Sequence, residues 1–128
     1  MDEGVEPRVA MQELSDWNTE VRERYGKVGK SILTAFNASY DFPMVNLEYI
    51  KAGLDNPFDI TGYCIQSLAL ALSPNYDWKS VSKKRLPPEV APSGGFTHNA
   101  LEDAVWQQEL HFALVGALHP AGSQSAAL

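Results

Sequence analysis

The stretch Thr97-His98-Asn99-Ala100-Leu101-Glu102-Asp103-Ala104 decides how the chain is read. A histidine and an aspartate straddle the start of a long amphipathic helix. Asn99 is a strong N-cap residue, and Glu102, three positions on, can reach back to it as a capping box. His98 then lies just outside the helix on a loop, able to move. Asp103 falls in the first turn, where the positive end of the helix dipole favours an anion. A movable base beside a fixed carboxylate suits metal-assisted hydrolysis, the carboxylate holding a cation and the imidazole deprotonating a water. The same residues would also serve as a plain capping box with an incidental histidine.

Working outward, the helix is predicted from Ala100 to Leu118, with Leu101, Ala104, Val105, Phe112 and Val115 on one face. Leu110, Leu114 and Leu118 widen that face, which predicts a well-buried helix. His111 and His119 have no second ligand at metal spacing and read as structural. Residues 119–128 read as a flexible tail of small residues. Upstream, Pro87-Pro88-Glu89-Val90-Ala91-Pro92-Ser93-Gly94-Gly95 excludes regular structure and forms a loop that delivers Phe96, Thr97 and His98, with Gly94-Gly95 as a hinge. Before it, Trp78 to Leu86 is predicted as a short helix. It concentrates Lys79, Lys83, Lys84 and Arg85, either as a solvated face or as a track for a phosphate backbone.

In the first half, Ala10, Leu14, Trp17, Val21 and Tyr25 recur at helical spacing, so a helix is predicted from Pro7 to Tyr25, ended by Gly26. Ser31 to Phe36 is a short apolar run with β-branched residues, read as a buried strand. The turn Asn37-Ala38-Ser39-Tyr40-Asp41-Phe42 follows, and a second helix is predicted from Pro43 to Ala52, closed by Gly53. This places Asn37 and Asp41 at the carboxyl end of a strand, where open α/β sheets hold their sites. By itself Asp41 also reads as an ordinary acid near a helix N-terminus. Phe58-Asp59-Ile60 reads as a second strand, and Tyr63 to Leu72 as a third helix ended by Ser73-Pro74.

The chain has 128 residues, 45% hydrophobic and 20% charged, which fits one domain with a modest core. No apolar run is long enough for a membrane span, and the N-terminus lacks a signal-peptide pattern. Cys64 is the single cysteine, which excludes an internal disulfide and suggests a cytoplasmic setting. A net charge of −6 argues against a nucleic-acid coat protein but not against a nuclease, whose metal site is itself acidic.

Two of these stretches carry a resemblance. Asn37-Ala38-Ser39-Tyr40-Asp41 resembles the second motif of the DEDDh 3′–5′ exonucleases, in which an asparagine precedes the acid by four. His98-Asn99-Ala100-Leu101-Glu102-Asp103 resembles their third motif, His-x-Ala-Leu-x-Asp. The order of elements and the Asn56-Pro57-Phe58-Asp59-Ile60 approach to the second strand are most similar to ribonuclease T-like exoribonucleases. The resemblance runs from about Pro7 to Leu118.

It implies an α/β ribonuclease H-like fold and a metal-dependent 3′–5′ exonuclease acting on the 3′ end of single-stranded RNA or DNA, with RNA favoured. Asp41 and Asp103 would be metal ligands for two Mg²⁺ or Mn²⁺ ions, hard cations suited to oxygen donors. His98 would be the general base. Asn37, Lys84 and Arg85 would contact substrate, and Phe42 or Phe96 could stack on a terminal base. The family's first motif, Asp-x-Glu on a first strand, has no counterpart, because Asp2-Glu3 has the wrong spacing. The expectation is therefore a single, truncated exonuclease domain over 1–128, lacking three strands and inactive by itself. Its helices would pack on a small parallel sheet, with Ile32, Leu33 and Phe36 along an open edge. Such an edge predicts a homo-oligomer or a complementing N-terminal segment. The competing expectation is a non-catalytic remnant that binds nucleic acid or protein.

Overall fold

The computed structural model describes residues 4–94 and 97–120, and its packing divides into two compact units, Met1–Tyr63 and Cys64–Leu128. Expectations that fall on Gly95, Phe96 and the tail beyond Pro120 lie outside the described residues. Among the described residues the chain is α/β, with four α-helices and a parallel sheet of two strands.

The first unit is built from α1 (Pro7–Arg24), β1 (Ser31–Ala35), α2 (Ala38–Ala52) and β2 (Phe58–Cys64), whose last residue opens the second unit. Glu6 caps α1 by accepting from the Val9 N–H at 3.1 Å, and Pro7 fills the first helical position, where no N–H is needed. Gly26, at φ +59°, turns the chain out. The expected stripe of α1 holds in part, with Ala10, Leu14 and Val21 half-buried. Trp17 and Tyr25 are exposed, while Asn18 is buried and its Oδ1 accepts from the Ser31 hydroxyl of β1 at 2.5 Å. Tyr49 of α2, fully buried, explains the rotation. Its hydroxyl accepts from Ser15 at 3.1 Å and donates to the Met11 carbonyl at 3.3 Å, so the row Met11, Ser15, Asn18 turns inward.

α2 begins at Ala38, five residues before the expected start at Pro43. A proline in the second turn supplies no N–H to the carbonyl of Ser39, but the first turn is closed by the Tyr40 and Asp41 N–H groups donating to the Asn37 carbonyl. Asp41 therefore sits in a helical turn rather than a loop. Gly53 ends α2 in the left-handed region at φ +66°, with the Leu54 N–H returning to the Tyr49 carbonyl. β2 is longer than expected and displaces the start of the next helix to Ile65. Gly62 lets it continue. A Cβ there would lie 3.1 Å from the Cβ of Ala38 and 3.3 Å from that of Phe42. The glycine is a close approach between β2 and the first turn of α2 rather than a strand breaker. Phe36, expected along the open edge, is buried, whereas Ile32 and Ile60 on the sheet are 57% and 84% exposed.

The second unit holds α3 (Ile65–Leu72), a 3₁₀ turn (Trp78–Val81) and α4 (Ala100–Leu118). α3 packs on both the 3₁₀ turn and α4. The helix expected over Trp78 to Leu86 shrinks to the 3₁₀ turn, because Val81 and Leu86, both buried, pin the segment at a spacing no helical face provides. α4 has the expected bounds, and of its expected apolar residues Leu110 and Leu114 are buried, joined by Trp106, whereas Leu101, Val105 and Phe112 are exposed. Apolar spacing marks helical faces without saying which one meets a neighbour.

No helix among the described residues is long and apolar enough to cross a membrane.

Candidate active site

The corner of α4 that carries His98 and Asp103 is closed by Thr97. Asn99 is the N-cap, its Oδ1 accepting from the N–H groups of Leu101 and Glu102 at 3.0 and 3.2 Å. Glu102 does not complete the capping box on Asn99. Its Oε2 instead accepts from the Thr97 hydroxyl at 2.5 Å, and Thr97 Oγ1 accepts from the Asn99 N–H at 3.3 Å. A hydroxyl donates and accepts at once, so Thr97 inserts itself between the two ends of the expected box. The Thr97 N–H donates to Asp103 Oδ1 at 3.2 Å. One residue thus engages two successive carboxylates of the first turn, both favoured there by the helix dipole.

His98 lies between these anchors at φ +61°. The left-handed region is uncommon for any residue but glycine, though histidine enters it more readily than most. The imidazole is exposed and Asp103 is half-buried. The backbone on either side is tied, by Thr97 to Asp103 and by Asn99 to the first turn of α4. Gly94 of the hinge expected just upstream has φ +104°.

In the first unit, Asn37 is the N-cap of α2 but makes no side-chain capping bond, and its side chain is exposed. Asp41 is half-buried one turn on, between Ala38 and Phe42, the two residues against which Gly62 fits. In the second unit, Lys84 and Arg85 are exposed in the segment between the buried Val81 and Leu86, and the Arg85 N–H donates to the Ser82 carbonyl at 2.8 Å. The structure therefore ties Asp103 to the backbone of Thr97, the residue before His98, and displays Lys84 and Arg85 in the same unit. Asn37 and Asp41 share the first turn of α2 in the other unit.

Asp41 and Asp103 offer oxygen donors of the kind Mg²⁺ and Mn²⁺ take. Among the described residues, however, no three His, Cys, Asp or Glu side chains form a group that could hold a metal ion. The donor type fits such an ion and the donor number does not.

Two positioning residues went unnoticed in the sequence. Thr97 had a local signal, a hydroxyl residue two before the cap and five before a glutamate. Gly62 had none, because its reason lies in a helix twenty residues upstream.

Comparison with known proteins gives one similarity to report. The chain is 30% identical over 116 residues to the 3′-5′ DNA exonuclease Cap18 of Escherichia coli. The aligned region is 91% of this chain and 59% of that protein, so the chain spans about three-fifths of the curated relative's length. No protein-family model matches the chain. No solved structure matches it either.

Proposed function

We propose that this chain carries the second and third motifs of a 3′–5′ exonuclease of ribonuclease H-like fold, hydrolysing terminal phosphodiesters of single-stranded DNA. The observation that carries this reading is the α4 corner, where an exposed His98 follows Thr97, whose N–H donates to the half-buried, helix-fixed Asp103. The similarity to a protein named as a DNA exonuclease, which runs across both motifs, supports the reaction and favours DNA over RNA.

In this reading His98 takes the proton of the attacking water, a role that needs an accessible imidazole near neutral pH. Asp41 and Asp103 would each serve as a carboxylate ligand for Mg²⁺ or Mn²⁺. Such ions would offset the charge of the scissile phosphate. Asn37, Lys84 and Arg85 hold the substrate strand. Two carboxylates do not retain two close divalent ions against hydration and mutual repulsion, so residues 1–128 by themselves are proposed to be inactive. The open sheet is proposed to be completed by a second copy or by an N-terminal segment, in a cytoplasmic protein.

The test is direction of attack. Single strands of DNA and RNA, labelled at either end, are incubated with Mg²⁺ or Mn²⁺ and the protein supplied with an Asp-x-Glu strand. Mononucleotide release from the 3′ label, blocked by a 3′-phosphate, is the expected result. Internal cleavage or release from the 5′ end would overturn it.

A further inference from the structure

The chain is acidic overall, yet Tyr76 to Leu86 carries Lys79, Lys83, Lys84 and Arg85 against one carboxylate, Asp77. Two aromatic residues open the same segment, and both face solvent: Tyr76 is 73% exposed and Trp78 49%. A single exposed aromatic is ordinary. Two of them within three residues, followed at once by four cations, form a different pattern.

The segment is held from beneath. Tyr76 adopts a left-handed backbone at φ +46°, uncommon for a bulky residue, and its N–H donates to the Ser73 carbonyl at 3.1 Å. Asp77 is occupied: its Oδ1 accepts from the Lys79 N–H at 3.0 Å, and its carbonyl accepts from the N–H and hydroxyl of Ser80 at 3.0 and 2.6 Å. The Ser80 hydroxyl also meets that of Ser73 at 2.9 Å. Val81 and Leu86 anchor the strand of cations in the core. Lys79, Lys84 and Arg85 make no ion pair among the described residues. The backbone is fixed inward while the aromatic and cationic groups point out.

We infer that Tyr76 and Trp78 form a stacking platform for the bases of single-stranded nucleic acid, with Lys79, Lys84 and Arg85 along its phosphates. Flat, exposed rings beside a row of cations are the two components by which proteins hold single strands without reading sequence. The inference deepens the exonuclease reading, on which it rests for its substrate class, and adds two residues that the reading did not use. In this role the platform lies outside the hydrolytic corner and grips the strand whether or not the terminal phosphodiester is cut.

The experiment is binding by the 128-residue chain in EDTA, which excludes metal-dependent cleavage. Fluorescence anisotropy follows a labelled oligothymidylate and an abasic strand of the same length at two salt concentrations. Tyr76→Ala with Trp78→Ala is expected to weaken oligothymidylate binding roughly ten-fold or more, leave abasic binding unchanged, and be rescued by Tyr76→Phe with Trp78→Phe. Replacing Lys79, Lys84 and Arg85 by Gln is expected to weaken both strands and reduce the salt slope by about 2. Equal binding by the alanine variant and the wild type, equal losses on both strands, or no binding by the wild type would overturn the platform. The base-dependent loss together with no nucleotide release by the chain extended with an Asp-x-Glu strand would refute the catalytic reading alone.

Discussion

The backbone N–H of Thr97 donates to Oδ1 of Asp103 at 3.2 Å, across the mouth of α4. Together with the Thr97 hydroxyl on Glu102, this bond fixes where the chain enters the helix, and so where His98 stands relative to the acid. The relation is one of local chemistry: a hydroxyl residue, a cap and two first-turn acids within seven positions.

Thr97→Val keeps the shape and removes the hydroxyl, leaving the Asn99 N–H and Glu102 to water. Because the site is exposed, the expected loss is small, about 0.5–1 kcal/mol in a urea titration, and Thr97→Ser should restore it. Asn99→Ala should cost more, about 1 kcal/mol, since two N–H groups lose their acceptor. An Asn99→Ala variant as stable as the wild type would show that the cap does not hold this corner.

Gly62→Ala should disturb the first turn of α2. Its Cβ would press on Ala38 and Phe42, parts of the backbone turn that carries Asp41, so neither can yield cheaply. A destabilisation of about 1–3 kcal/mol is expected, with amide shifts in an NMR spectrum concentrated at 38–42. Shifts confined to β2 would contradict the close approach.

Tyr49→Phe deletes a hydroxyl at a fully buried position and strands the Ser15 and Met11 groups it serves. A loss of about 1–2 kcal/mol by denaturant unfolding is expected. A neutral result would mean that Ser15 satisfies itself on the Met11 carbonyl, to which it already lies at 3.1 Å.

Elements with strong ends were legible in the sequence. α4 behind Asn99 was read at its bounds and α1 between Pro7 and Gly26 to within one residue, because proline, glycine and asparagine act locally. Where tertiary packing overrode the local signal, the reading missed. Pro43 looked like a helix start and is an interior residue, and Gly62, a contact with the first turn of α2, carried no local signal. The inward turn of Asn18 in place of Trp17 depends on Tyr49, which lies on another helix. At the site, the residue types and their helix were legible, but Thr97 as the clasp was not, because its partners become neighbours only once α4 forms.

Ile60 and Ile32 leave apolar surface on a sheet of only two strands, which invites pairing with a further strand. Sedimentation of the chain at micromolar concentration should show self-association, reduced by Ile60→Lys. A concentration-independent monomer for both proteins would contradict this.

The most direct measurement is metal-dependent release of nucleotides from a 3′-labelled single-stranded DNA by three proteins: the chain alone, the chain extended at its N-terminus with a strand bearing Asp-x-Glu, and the extended form with Asp103→Asn. The account predicts release by the extended form only, stepwise from the 3′ end and lost in Asp103→Asn. Its His98→Ala counterpart should turn over more slowly while binding Mn²⁺ with nearly unchanged affinity. No release by the extended form, or release that survives Asp103→Asn, would contradict the assignment of the α4 corner as a hydrolytic site.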